Sequence, residues 1–294
     1  MTVPARIAIV GLGLIGASLA RALKACTEAP YLIGCDQDAA SVEKAQALGY
    51  IDQGADSVTA AARSADCVVI ATPVRSIAAI VEEALRAAPT GVVTDTGSVK
   101  GSILLRLQER GIPLTRFVPG HPVAGSERFG VEAADVELFR NRRVILTPQP
   151  STDDDATKAV EALWQAVGAQ VEQMGAAHHD EVLAATSHLP HVLAYALVDC
   201  LAGMEDRREL FAYAAGGFRD FTRIASSSPE MWRDILLDNR EVLDGTISAF
   251  EHTLAQLRSD LRNADDEAVL ATLQRARSAR ERFLSLLEHA PNEV

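Results

Sequence analysis

The sequence predicts an α/β chain in which a doubly wound parallel sheet precedes an all-helical half. Three observations carry this. Short β-branched runs alternate with alanine- and leucine-rich stretches up to about residue 150, a glycine-punctuated turn follows the first run, and no convincing strand recurs beyond about residue 175.

The first run, Arg6-Ile7-Ala8-Ile9-Val10, feeds Gly11-Leu12-Gly13-Leu14-Ile15-Gly16, a G-x-G-x-x-G turn opening a helix-forming stretch. Gly11 permits the tight turn, Gly13 lets the backbone approach a pyrophosphate, and Gly16 lets the helix lie close to its strand. Leu14 and Ile15 stand at the helix N-terminus, which faces the phosphate charge. The second run, 31–35, ends at Asp36, twenty residues after Gly16. A carboxylate there accepts hydrogen bonds from an adenosine ribose. It would repel a 2′-phosphate, and Gln37-Asp38 supply no arginine to offset that, so NAD is favoured over NADP. The first domain, residues 1–174, is thus of the Rossmann type, and residues 175–294 form a second, helical domain.

Further strand candidates are 67–71, 91–95, 116–118 and 143–147. After the turn-rich 148–153, a helix over 154–167 and a strand at 170–172 complete another αβ unit. Thr72-Pro73 stops one strand and Gly97-Ser98 follows Asp95 on another. Both turns leave carboxyl ends of strands, where such sheets bind ligands. In the helical half, Leu243, Ile247, Phe250, Leu254, Leu257 and Leu261 form an a/d-like apolar seam. The seam packs either within its own domain or against a second subunit. The last helix, over 265–289, sets Arg275, Arg277, Arg280 and Arg282 among acids, the pattern of a solvated face.

A length of 294 residues accommodates two cores, and no apolar run is long enough to cross a bilayer. The first strand begins almost at the N-terminus, leaving no room for a signal peptide, so a cytoplasmic protein is expected. The net charge of −12 argues against nucleic acid or an anionic membrane as partner, and an anionic substrate would need a local basic cluster. Cys26, Cys35, Cys67 and Cys200 show no C-x-x-C or metal spacing. Cys35 and Cys67 read as small core residues, consistent with a reducing compartment.

Three polar clusters could carry chemistry. Asp95-Thr96-Gly97-Ser98-Val99-Lys100 follows a strand; its hydroxyls could approach a nicotinamide ribose or a substrate hydroxyl, or Ser98 could simply cap a helix. Gly120-His121-Pro122-Val123-Ala124-Gly125-Ser126-Glu127 holds a histidine between glycine and proline on a strand-exit loop. That is not the pattern of a core histidine, and imidazole titrates near neutral pH. Ser187-His188-Leu189-Pro190-His191 places two histidines on one side of a helix that Pro190 must bend or begin. Further on, Gly216-Gly217-Phe218-Arg219-Asp220-Phe221-Thr222-Arg223 brings two arginines, whose planar forks suit carboxylates, although Asp220 is an obvious salt-bridge partner. With no H-E-x-x-H and no third ligand at useful spacing, no metal is expected.

In these motifs, and in their order, the chain resembles the prephenate/arogenate dehydrogenase family of tyrosine biosynthesis. The H-P-x-A-G loop joined to S-H-L-P-H and F-x-D-x-T-R is the specific part, and Met231-Trp232-Arg233-Asp234-Ile235 also fits. The resemblance implies NAD-dependent oxidative decarboxylation of prephenate or arogenate and a helical C-terminal domain that makes a homodimer. It casts His121 as the base on the ring hydroxyl, with Ser98 beside it, and Arg223 as the grip on a substrate carboxylate. His191 and His188 would line the pocket with Ser126, and Glu127 and Asp220 resemble an ionic gate. Gly11, Gly13, Leu14, Ile15, Gly16, Asp36, Thr72, Pro73 and Ser98 would hold the cofactor. Arg219 stands where the family accepts either basic residue. A 3-hydroxyacid-type dehydrogenase would use a lysine of its second domain, but residues 175–294 contain none. A non-catalytic NAD sensor would not need His121, Ser98 and Arg223 together.

Overall fold

The computed structural model describes residues 2–126, 128–204 and 215–288. By compactness the chain divides into Met1–Leu243 and Asp244–Val294.

The first unit opens with β1 (Arg6–Val10), α1 (Leu14–Lys24), β2 (Tyr31–Cys35), α2 (Ala39–Ala47), β3 (Gln53–Ala55), α3 (Val58–Ala62), β4 (Cys67–Ile70), α4 (Val74–Ala87), β5 (Val92–Asp95), α5 (Gly101–Glu109) and β6 (Phe117–Val118). The strands make one parallel sheet in the order β3-β2-β1-β4-β5-β6. Every residue of β4 is buried, as are Ile7, Ala8, Ile9 and Val10 of β1. Such near-continuous apolar runs are what a sheet covered on both faces requires. β3 escaped the sequence reading because Gln53-Gly54-Ala55 carries no apolar run; backbone pairing with Ile33, Gly34 and Cys35 makes it a strand.

A second, three-stranded sheet follows. β7 (Gly120–Pro122) runs antiparallel to β8 (Arg143–Leu146), which lies parallel to β9 (Gln170–Gln173), with α6 (Asp154–Ala166) between the last two. The expectation of a loop at His121 is therefore corrected. His121 pairs with Ile145 in a short edge strand, the position in a sheet that tolerates Pro122, and it is only 8% exposed.

The helical part comprises α7 (Ala176–Leu183), a π-helical turn (Ala184–His188), α8 (Leu189–Ala202), α9 (Gly216–Thr222), a 3₁₀ turn (Arg223–Ser226), α10 (Pro229–Asp238), α11 (Arg240–Arg262) and α12 (Asp266–Glu288). Pro190 does not end the helical run. The wider π turn just before it carries α7 into α8, where an α-helical turn would crowd the proline ring against the carbonyl four residues back. In the second unit α11 closes at a turn with Ala264 at φ +50°, and the Asp265 carboxylate caps α12 by accepting from Ala268 N–H at 3.0 Å. Of the apolar seam, Leu243 is buried, whereas Leu254 and Leu261 are 53% and 62% exposed.

The β1–α1 turn shows why its glycines differ. A Cβ on Gly16 would sit 1.9 Å from the Gly11 carbonyl oxygen, and one on Gly11, at φ +93°, 2.4 Å from the Ala71 oxygen. A Cβ on Gly13 meets nothing within 4 Å. Gly16→Ala is therefore expected to destabilise the fold, by about 1–3 kcal/mol in urea unfolding, as overpacking does. Gly13→Ala should leave the unfolding midpoint in place and instead weaken dinucleotide affinity in a titration.

Candidate active site

The sheet order reverses between β1 and β4, and ligands bind outside the carboxyl ends of strands at such a point. Gly11 and Thr72 come together there: a Cβ on Gly11 would approach the Thr72 methyl carbon to 3.0 Å. Helix α1 follows Gly13 with no side-chain cap and no acidic residue in its first turn, so its leading N–H groups suit an anion. At the end of β2, Asp36 is fixed by two backbone donors, Leu12 N–H at 2.6 Å and Asp38 N–H at 3.0 Å. Pro73 precedes α4, and Thr72 Oγ1 accepts from Ser76 Oγ at 2.9 Å. An uncapped helix end, open space over Gly13 and a positioned carboxylate together fit a dinucleotide.

Around His121 lies a connected buried network. Lys100, fully buried, donates to Asp95 Oδ2 at 2.5 Å and to the Gly120 carbonyl at 2.6 Å, and Asp95 Oδ1 accepts from Gly120 N–H at 3.2 Å. The segment after β5 is thus tied to the residue before His121. Burial lowers the Lys100 pKa, opposed by the charge and hydrogen bond of Asp95. On the other side, His121 Nδ1 lies 2.8 Å from His179 Nε2, and His179 Nδ1 lies 2.8 Å from Asp180 Oδ1. Asp180 also accepts from Lys100 N–H at 2.9 Å and Gly101 N–H at 2.7 Å, capping α5 from α7. This replaces the reading of Ser98 as the helix cap. The helix begins three residues later, with Asp180 satisfying its leading amides, and Ser98 is half-buried on the turn.

The imidazoles are held neutral. Burial, followed by His179, Lys100 and His188, pushes the His121 pKa well below its ordinary value. Burial also lowers His179 against the opposing pull of Asp180, and takes His188 down to about 4. Burial alone would raise the Asp180 carboxyl, but the His179 bond and the two amide donors bring it below its ordinary value.

The π turn presents the two remaining histidines differently. His188 Nδ1 lies 3.1 Å from Asn239 Nδ2, while its buried Nε2 has no hydrogen-bond partner among the described residues. His191 bonds the Ser187 carbonyl through Nδ1 at 2.9 Å and stacks on Trp232 of α10, with centroids 3.5 Å apart. Burial lowers its pKa, and the charge of Arg223 adds to the effect. His121, His188, His191 and Arg223 are therefore linked through one electrostatic neighbourhood. Ser126 is exposed and accepts from Arg128 N–H in its own loop; Asp220 is exposed on α9; Glu127 lies outside the described residues. The sequence reading missed His179, Asp180 and Asn239. The His-His-Asp run at 178–180 was the available signal, but its bond to His121 spans 58 positions.

Residues 19–173 match the family model described as prephenate dehydrogenase, nucleotide-binding domain, and 175–275 the one described as prephenate dehydrogenase, dimerization domain. A cyclohexadienyl dehydrogenase of Zymomonas mobilis is 40% identical over 95% of this chain and 96% of its own. Among solved structures, a prephenate dehydrogenase of Aquifex aeolicus in complex with hydroxyphenyl propionate and NAD+ superposes with a TM-score of 0.88 at 38% identity, covering 96% of this chain and 98% of that one. The Synechocystis arogenate dehydrogenase gives 0.80 at 29% identity over 95% and 99%. Both halves match in order and over nearly the whole length: the chain belongs to the prephenate dehydrogenase family.

Proposed function

We propose that the protein oxidatively decarboxylates prephenate, arogenate or both, giving 4-hydroxyphenylpyruvate or tyrosine. The observation that carries the reading is a neutral, nearly buried imidazole, His121, in a chain whose Gly-rich turn and Asp36 fit a dinucleotide. When bound, NAD+ supplies the hydride acceptor. His121 Nδ1 is engaged by His179, so the ring hydroxyl's proton is taken at Nε2 as the hydride leaves the same carbon. Loss of carbon dioxide from the opposite ring carbon aromatises the ring, and the phenolate oxygen recovers a proton. Ser98, on the turn tied to Gly120, orients the hydroxyl. His191, held flat against Trp232, lines the pocket with His188 and Ser126. By the resemblance, Glu127 and Asp220 would serve as an ionic gate for the substrate.

Arg223 grips a substrate carboxylate. In a protein of charge −12 a dianionic substrate needs such a fork to offset repulsion. The division of labour falls at residue 174, with cofactor contacts before it and substrate and subunit contacts after it. α8 supports a homodimer: of its apolar residues only Ala194 is buried in the single chain, and Leu254 and Leu261 of α11 are exposed. Among the described residues no helix is long and apolar enough to cross a membrane, and Cys26, Cys35, Cys67 and Cys200 are unpaired thiols, which supports a cytoplasmic location.

Purified protein with NAD+ and either substrate should generate NADH absorbance, and parallel assays with prephenate and arogenate rank the two; no turnover of either would refute the reading. His121→Asn should lower kcat by about 10²–10⁴-fold, the range for losing a general base, with little change in KM for NAD+. Arg223→Ala should raise KM for the substrate by about tenfold or more while NAD+ affinity holds; equal losses for both ligands would count against its role. The buried imidazoles also leave a stability signature. A histidine with a depressed folded pKa stabilises fully above its unfolded value of about 6.5 and loses that contribution as pH falls. The urea midpoint should therefore decline from about pH 6.5 towards about 4, where His188 charges, and His188→Gln should flatten that decline.

A further inference from the structure

We propose that His179, anchored by Asp180, is a positioning residue that fixes the His121 imidazole with its proton on Nδ1 and its lone pair on Nε2. Both Asp180 oxygens accept backbone N–H groups, Lys100 N–H on Oδ1 and Gly101 N–H on Oδ2, and such donors favour the ionised carboxylate. An ionised carboxylate can only accept, so the bond at 2.8 Å makes His179 Nδ1 the donor. His179 is fully buried, and its neutral ring carries one proton, already placed on Nδ1. Its Nε2 is consequently an acceptor, and the 2.8 Å contact makes His121 Nδ1 the donor in turn. One proton remains per ring, and the His121 lone pair falls on Nε2.

Without this chain the two tautomers of a neutral imidazole lie close in energy, and the one protonated on Nε2 cannot accept the hydroxyl proton there. The relay also gives the imidazolium formed on proton uptake a path to a negative partner. Its kinetic consequence rests on the reading of His121 as the base; its structural content does not.

The test uses the full-length protein labelled with ¹⁵N-histidine, with His121→Asn identifying the signals of residue 121. In the wild type, long-range ¹H–¹⁵N correlations should show a pyrrole-like Nδ1 and a pyridine-like Nε2 for His121. In His179→Leu this pattern should be lost, and kcat should fall by about 10²-fold or more while KM for NAD+ stays within about twofold, as for a triad imidazole in the wrong tautomer. His179→Gln, whose amide oxygen can accept the same bond, should recover at least about tenfold of that loss. A wild-type His121 protonated on Nε2, an unchanged tautomer in His179→Leu, or a glutamine variant no better than leucine would overturn the proposal. The wild-type spectrum decides even where the leucine variant fails to fold. If the tautomer shifts as expected but His121→Asn keeps full kcat, the positioning stands and the reading of His121 as base falls.

Discussion

The Asp180 carboxylate is the constraint on which the site depends. It accepts from the first amides of α5, which follows the Asp95–Lys100 turn, and from His179, which touches His121. One side chain from the start of the helical part therefore sets both the turn after β5 and the imidazole in β7. A helix N-terminus is a favourable place for an anion, because its unpaired N–H groups and dipole stabilise negative charge. The carboxylate can thus be nearly buried and still ionised, as a relay partner must be. Replacing it would leave two amides and an imidazole N–H without acceptors, each loss costing about 1–3 kcal/mol.

Lys100 and Asp95 form the second fixed point, and the physics there is different. A fully buried ion pair contributes little net stability, since desolvation offsets its attraction, yet breaking it by removing one partner costs about 3–5 kcal/mol. Its value is geometric. The ammonium also holds the Gly120 carbonyl, and Asp95 holds the Gly120 amide, so the backbone entering His121 is gripped on both sides. Gly120 suits this position: a Cβ there would lie 2.9 Å from the Asp95 carbonyl oxygen. The positive charge of Lys100 further disfavours protonation of His121, keeping that imidazole neutral near neutral pH.

Much of this was legible in the residues. The Gly-rich turn, Asp36 and the apolar runs of β1, β2, β4 and β5 follow from rules that act within one or two elements. What escaped depends on contacts distant in sequence. β3 has no apolar signature and exists by pairing. β7 looked like a loop because glycine and proline flank His121, and an edge position in a second sheet accommodates both. Ser98 was a reasonable cap by local pattern, but the cap comes from Asp180, 79 positions beyond Gly101. His191 was visible as a motif residue; its stacking on Trp232 required α10 to fold across α8, which no spacing reveals.

In an acidic protein the carboxylates of the site must be held so that they do not repel one another, and the network does this one by one. Asp95 is paired with Lys100, and Asp180 is hydrogen-bonded by two amides and His179. On α10, the helix that carries Trp232, Asp238 is bound through both oxygens by Arg106 at 2.8 Å, and Arg75 approaches Asp234 and Asp238 at 3.4 and 3.5 Å. The imidazoles stay uncharged, so they offer hydrogen bonding without fixing a net charge before substrate arrives. The −12 of the whole chain is screened over about a Debye length, while the local pairs are not. The local field that a charged ligand would meet is therefore set by how the charges are paired around the site, and the overall sign of the protein matters less.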